Sequence, residues 1–384
     1  MNKLLVVLIF VLAGTNVFAL PIKVGDDTID IYASIRASVA FNHTDKGEIE
    51  TRDRSQFIMR LQSNSRVGVR WTRGDLFLHN ELGMGGDAAA PSPTLRLLYG
   101  DYRFAGGEKG RIRVGQIPGV AITGSYYNRK LNLDNGLQGF GTMKESRRVG
   151  INYEIGGFSV AAISMRQDSA TVTGLYTSDY GFSNVEFSEI MPRIEASYSI
   201  SSFNVAGTYV KSSVMVNNTV TGEDNRRYHV DAGHLMVAAN PMITNDTRLI
   251  ASGFYSVNGG LYQMVSIGGG FNPYDAVRSD LWAVPQLKEA GKPDMHNTSV
   301  FGGVVALNVS NRLEAGFGIQ SASSGAWEEK QTGIGVYANY TYIISNFRIT
   351  PEIVYLHSGD RARTFGAPKD TKGLQAGVQF RFDI

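Results

Sequence analysis

The sequence predicts an all-β chain that closes into a membrane-spanning antiparallel barrel of about sixteen strands, and three observations predict it. The last twelve residues, 373 to 384, alternate without a fault. Leu374, Ala376, Val378, Phe380, Phe382 and Ile384 fall on one face, and Gln375, Gly377, Gln379, Arg381 and Asp383 on the other. A strand that is apolar on one side and polar on the other separates two solvents. Composition is the second observation: 384 residues with 44 glycines, 18 tyrosines, 19 phenylalanines and no cysteine describe a β-rich chain with many tight turns. The third is that the same two-residue period returns along the chain, with tight turns and long polar loops taking turns between the strands.

Each segment follows from residue chemistry. Lys3, an apolar run from Leu4 to Leu12, and small residues up to Ala19 read as a secretory signal peptide over residues 1–19. The run is too short for a spanning helix, which needs about 20 apolar residues. Residues 20–384 are left for the barrel. From Thr28 the odd positions Ile29, Ile31, Ala33, Ile35, Ala37, Val39 and Phe41 are apolar, opposite Asp30, Ser34, Arg36 and Ser38. The pattern resumes with Phe57, Met59, Leu61, Val67, Val69 and Trp71 opposite Arg60, Gln62, Arg66 and Arg70. After the turn Thr72 to Asp75, Leu78 and Leu82 stand opposite His79 and Glu81.

Further strands are expected near 94–104, 110–116, 146–154, 158–165, 191–200, 203–210, 228–239, 247–255, 298–309, 313–320, 332–342, 347–356 and 372–384. That makes about sixteen, an even number, with short periplasmic turns and long extracellular loops. Some 365 residues beyond Ala19 give about 23 per strand, of which roughly ten span the membrane. Pro351 cannot donate to a ladder, so a bulge is expected there. In the stretch 256–297, the run from Pro285 to Gly291 reads as a short loop helix. That stretch is long enough to hide another hairpin, so eighteen strands stay open.

The order and spacing of four segments resemble the Gram-negative outer-membrane porin family, general or substrate-selective. They are the leader, GRIRVGQ at 110–116 before a long third loop, RRVGINYEIGGFSV at 147–160 after it, and the alternating final strand. The family usually ends in phenylalanine whereas this chain ends in Ile384, and its third loop lacks a clear acidic signature. The resemblance implies an outer-membrane location, a homotrimer in lipid, and passive diffusion of small hydrophilic solutes and ions. It also implies that the third loop, 117–145, folds inward and narrows the channel. That loop carries Tyr126, Tyr127, Arg129, Lys130, Asp134 and Glu145, the two acids being candidates to face an arc of arginines.

Alternation alone points Arg36, Arg60, Arg66, Arg70, Arg111, Arg113 and Arg148 inward, with Asp30, Glu81 and Glu154 as candidate partners. Fixed charge around a pore sets ion preference, so an excess of inward arginine points to anions. The bland alternative is that these arginines only wet the lumen and pair with the three acids.

Other classes fit poorly. A formal net charge of +2 offers no basic surface for nucleic acid. His43, His79, His229, His234, His296 and His357 are scattered, and His229 and His234, five apart on a strand, face opposite sides. No metal, cofactor or catalytic motif is expected. A barrel enzyme such as a lipase or protease, and a plugged structural or adhesive barrel, are the rival readings.

Overall fold

The computed structural model describes residues 21–45, 54–62, 64–84, 93–120, 147–164, 184–189, 191–217, 226–259, 286–287, 295–326, 330–358 and 371–384. The leader expected over residues 1–19 lies outside them. Sixteen antiparallel strands form one closed barrel. In chain order they are β1 (Asp27–Asp45), β2 (Arg54–Leu61 continued by Arg66–Arg73), β3 (Leu76–Met84), β4 (Pro93–Arg103), β5 (Arg111–Pro118) and β6 (Arg147–Ile155). Next come β7 (Phe158–Ile163), β8 (Asn184–Glu189 continued by Arg193–Ile200), β9 (Phe203–Asn217), β10 (Arg226–Ala239) and β11 (Thr247–Val257). The last five are β12 (Thr298–Val309), β13 (Leu313–Ser324), β14 (Gln331–Tyr340 continued by Tyr342–Ile344), β15 (Phe347–Ser358) and β16 (Thr371–Asp383). A short strand, Ile22–Val24, folds back on the start of β1.

Closure is a register of β16 on β1, running from Asp45↔Lys372 to Ser34↔Asp383, and the Ala33 and Ile384 backbones exchange both hydrogen bonds at 2.9 Å. A closed sheet has no edge, so every strand finds backbone partners on both sides in a medium that offers none. At one end the strands are joined by turns of two to seven residues, and at the other by connections of six residues or more, most of them longer. The turns use left-handed residues where the chain reverses, such as Gly74, Ser201, Ser310 and Ser345.

Two faces follow from the alternation. Outward residues are exposed and apolar, among them Ile35, Val114, Ile151, Val205, Leu235, Val305 and Ile353. Aromatic residues flank this band: Tyr102, Phe158, Tyr198, Phe203 and Phe382 near the turn end, and Phe41, Phe57, Tyr255 and Phe301 near the loop end. An apolar belt between aromatic girdles matches a hydrocarbon layer between two interfaces. Inward residues include Ser34, Ser38, Asn42, Glu81, Asp101, Asn152, Glu195, Gln375 and Gln379, all buried.

Three local departures have physical reasons. Between Leu61 and Arg66 the register on β1 passes from Ala37↔Leu61 to Ser34↔Arg66, so β2 holds two extra residues. Ser65 Oγ staples the break by donating to Arg36 O at 3.1 Å while accepting from Arg36 N at 3.0 Å. Because the insertion is even, Arg66 and Arg70 keep the face of Arg60. At Pro351 no bulge forms: the register to β16 passes through Pro351↔Val378 without a shift. What the missing N–H causes instead is a gap in the opposite ladder, where β14 divides between Tyr340 and Tyr342 while keeping register on β15. The loop helix expected after Pro285 is corrected as well, since Gln286–Leu287 pairs with Met295–His296 as a small ribbon. No further hairpin joins the sixteen among the described residues.

Candidate functional site: the inner wall

The inner wall is uneven. On β10 to β15 a patch of inward side chains is apolar and buried: Val230, Met236, Ile250, Val304, Ala306, Tyr337, Val354 and Leu356 are each at most 6% exposed, beside buried polar residues such as His234, Glu314, Gln320 and Glu352. On β1 to β6 the inward side chains are charged, and several reach water. Arg66, Arg70 and Arg111 keep 33%, 45% and 32% of their side-chain surface.

Arg36, Arg60, Arg66, Arg70, Arg111, Arg113 and Arg148 all stand on the face opposite the exposed apolar residues. Their partners are the acids that the same strands bring inward. Arg70 Nη1 donates to Asp30 Oδ2 at 3.2 Å. Arg66 lies 3.5 Å from Glu81. Arg111 Nη2 donates to Glu154 Oε2 at 2.7 Å. Alternation did not single out two further members. Asp101, on β4, receives a fork from Arg113, whose Nε and Nη2 donate at 2.7 and 2.9 Å, and Arg111 Nη1 lies 3.6 Å away. Arg96 Nε donates to Glu81 Oε1 at 2.7 Å.

Arg96 faces inward because of a bulge. The register on β3 jumps from Glu81↔Leu97 to Leu82↔Leu95, so the face assignment flips there and Leu95 turns outward. Asp101 was legible, since it shares the inward parity of Tyr99 and pairs in register with Arg113.

Aromatic rings tie the arc together. The Tyr32 hydroxyl donates to Glu81 Oε2 at 2.7 Å and stands 2.7 Å from His79 Nε2. His79 Nδ1 lies 3.1 Å from the Tyr99 hydroxyl. With Tyr32 donating to the carboxylate, Nε2–H donates to Tyr32 and Nδ1 accepts from Tyr99. The Arg70 and Arg113 guanidiniums each sit 4.5 Å from a ring centre, over Tyr32 and Tyr99. Stacking and ion pairing hold these forks in fixed orientations.

Counting the described inward groups on β1 to β6 gives Arg36, Arg60, Arg66, Arg70, Arg96, Arg103, Arg111, Arg113 and Arg148 against Asp30, Glu81, Asp101 and Glu154. Elsewhere the described inward groups are balanced, with Arg193, Arg248, Arg348 and Arg381 on the same wall as Glu195, Glu314, Glu352 and Asp383. The excess positive charge therefore lies on one side. Tyr126, Tyr127, Arg129, Lys130, Asp134 and Glu145 lie outside the described residues. The first residues of the third loop do not: Ile117 is fully buried, and Val120 packs with Ala161 and Ile163 on the inward face of β7. Among the described residues no group of His, Cys, Asp and Glu could hold a metal ion.

No protein-family model and no curated protein matches the chain. Solved structures do. The outer membrane channel DcaP of Acinetobacter baumannii aligns with a TM-score of 0.61 at 12% identity, covering 96% of this chain and 100% of that one. The anion-selective porin from Comamonas acidovorans aligns at 0.54 and 12%, covering 93% and 100%. The trimer form of OmpT, an outer membrane protein of Vibrio cholerae, aligns at 0.51 and 14%, covering 93% and 99%. At these identities the likeness carries the fold: this chain is similar to outer-membrane channels in its barrel over nearly its whole length.

Proposed function

We propose that this chain is an outer-membrane porin, a water-filled channel for passive diffusion of small hydrophilic solutes that favours anions. The observation that carries this reading is the pairing of an apolar, aromatic-girdled exterior with an inner arc where nine described arginines meet four acids. An interior that no aqueous pathway crossed would gain nothing from so many desolvated charges. Similarity to structures described as an outer membrane channel and an anion-selective porin supports it. The reading places the turns in the periplasm and the loops outside, with residues 1–19 removed on export. It makes the assembly a homotrimer, by analogy with the trimer form of the Vibrio protein. The third loop narrows the lumen, supported by the inward packing of Val120. No covalent step and no cofactor belong to it.

The buried apolar patch on the inner faces of β10 to β15 favours a second reading, a barrel obstructed on that side and serving a structural role. One experiment separates the two. Purified protein in a planar bilayer, under a KCl gradient, should conduct with a reversal potential of the sign set by chloride. Absence of conductance would favour the obstructed barrel, and a cation-selective current would refute the anion preference.

A further inference from the structure

Where β9 and β10 leave the apolar belt toward the loops, their outer faces become charged. In register, Lys211 stands opposite Asp231, Ser213 opposite His229 and Met215 opposite Arg227. These side chains point away from the lumen, because their chain neighbours Val210, Ser212, Val230 and Ala232 are buried on the inner wall. Lys211, Arg227, His229 and Asp231 are all exposed. Nearer the turn end, the same two outer faces carry Val205, Tyr209, Leu235 and Val237, exposed and uncharged.

Two tyrosines fix the height of this patch. The Tyr209 hydroxyl donates to Asp231 Oδ1 at 3.0 Å, and the Tyr255 hydroxyl lies 3.1 Å from Ser299 Oγ. Tyr209 is paired with Gly233 and Tyr255 with Phe301, so each hydroxyl reaches a residue two positions nearer the loops than its own partner. Amphipathic rings with the hydroxyl turned outward mark the boundary between hydrocarbon and headgroups. Each headgroup layer is about 5–8 Å deep. Asp231 to Arg227 covers about 13 Å along the strand, or about 10 Å in height at the tilt of a barrel strand. Lys211, Asp231 and His229 therefore stand within the headgroup layer, and Arg227 stands at its outer edge. Among the described side chains on the outer faces of β9 and β10, Asp231 is the only acid, and its carboxylate already accepts the Tyr209 hydroxyl.

We propose that Lys211, His229 and Arg227 form a docking surface for the phosphorylated headgroup of an outer-leaflet glycolipid. The ammonium and the guanidinium fork donate charge-assisted hydrogen bonds to phosphomonoester oxygens, and the imidazole N–H is a third donor between them. The exposed apolar row from Tyr209 to Val205 runs alongside the acyl chains of the same lipid. The proposal rests on the channel reading only for the leaflet that the loop end meets.

The test is native mass spectrometry of the folded full chain in non-ionic detergent with EDTA, mixed with diphosphoryl lipid A or with the same lipid dephosphorylated. One saturable lipid per barrel is expected, with at least a tenfold preference for the phosphorylated form. The double variant Lys211→Gln/Arg227→Gln should lose that preference. Lys23→Gln, on the short strand at the turn end, should keep it. Circular dichroism and gel mobility establish that each variant is folded. Equal binding of the two lipids, an unchanged preference in the double variant, or its loss in Lys23→Gln would each overturn the surface. Binding in detergent needs no conduction, so a conducting protein without the preference sinks this proposal alone. A protein that shows the preference without conducting sinks the channel reading alone.

Discussion

At the residue scale, Glu81 is the acid on which the arc depends. Its carboxylate is 4% exposed and holds Arg66, Arg96 and the Tyr32 hydroxyl. Removing one partner of a buried ion pair leaves a desolvated charge and costs about 3 kcal/mol. Glu81→Ala should therefore lower stability by about that amount in urea unfolding from lipid vesicles, and move the reversal potential further toward chloride. An unchanged midpoint would show that water already pairs Arg96. Gly68 gives an independent test, because a Cβ there would strike the Tyr32 ring. Gly68→Ala should push Tyr32 off Glu81 and His79 and lower the unfolding midpoint in the same assay without changing any charge. The face of Glu81 and of most arginines was legible from two-residue alternation. Arg96 was not, because alternation counts positions and a bulge adds one.

At the element scale most strands were legible nearly to their ends, because each needs only its own apolar and polar faces; the exceptions are β8, which begins at Asn184 rather than near 191, and β9, which runs to Asn217 rather than ending near 210, the two extensions pairing with each other. Where the ladder breaks was not legible, since the gap opposite Pro351 falls on β14 and depends on which neighbouring strand the missing N–H faces, which alternation does not give. The closing strand predicts its own behaviour: Phe380 is exposed outside, whereas Gln379 is buried inside and donates to Gln62 Oε1 at 2.7 Å. A lysine on the lipid face costs ~2–4 kcal/mol near the bilayer midplane, whereas a lysine at position 379 faces polar side chains and its ammonium can donate to Gln62 Oε1 in place of the amide. Phe380→Lys should thus reduce the yield of folded, gel-shifted barrel far more than Gln379→Lys, and equal yields would mean that the faces are exchanged. The turn between β10 and β11 adds a pH dependence. Hydroxyls of Thr244, Thr247 and Ser310 hold the Asp246 carboxyl below its ordinary value. A depressed value contributes stability above the unfolded carboxylate range, about pH 4, and loses it as pH falls through the folded value. Wild type should therefore exceed Asp246→Asn by a constant margin from pH 7 to about 5, narrowing below it; a margin that grows in acid would contradict the assignment.

At the scale of the whole molecule, what matters is where the charge lies rather than how much there is. The formal net charge of +2 describes a nearly neutral protein, yet among the described residues the inner wall of β1 to β6 carries more than twice as many arginines as acids while the remaining wall is balanced. A field built that way acts across the lumen and is screened over about 10 Å at 0.1 M salt, so it governs permeation only in dilute solution. Position along the wall should then decide the effect of a charge. Arg60→Ser, Arg66→Ser, Arg113→Ser and Arg148→Ser, made singly, should each lower anion preference in 0.1 M KCl and lose most of that effect in 1 M. Arg113→Ser should do least, because its charge is already matched by the fork to Asp101. Arg193→Ser, whose partner Glu195 lies in a buried pair on β8, should cost stability with little change in selectivity. Reversal potentials at the two salt concentrations measure all five. If Arg193→Ser shifted selectivity as much as Arg66→Ser, permeation would follow the total charge of the barrel and the one-sided arc would have no special part in it.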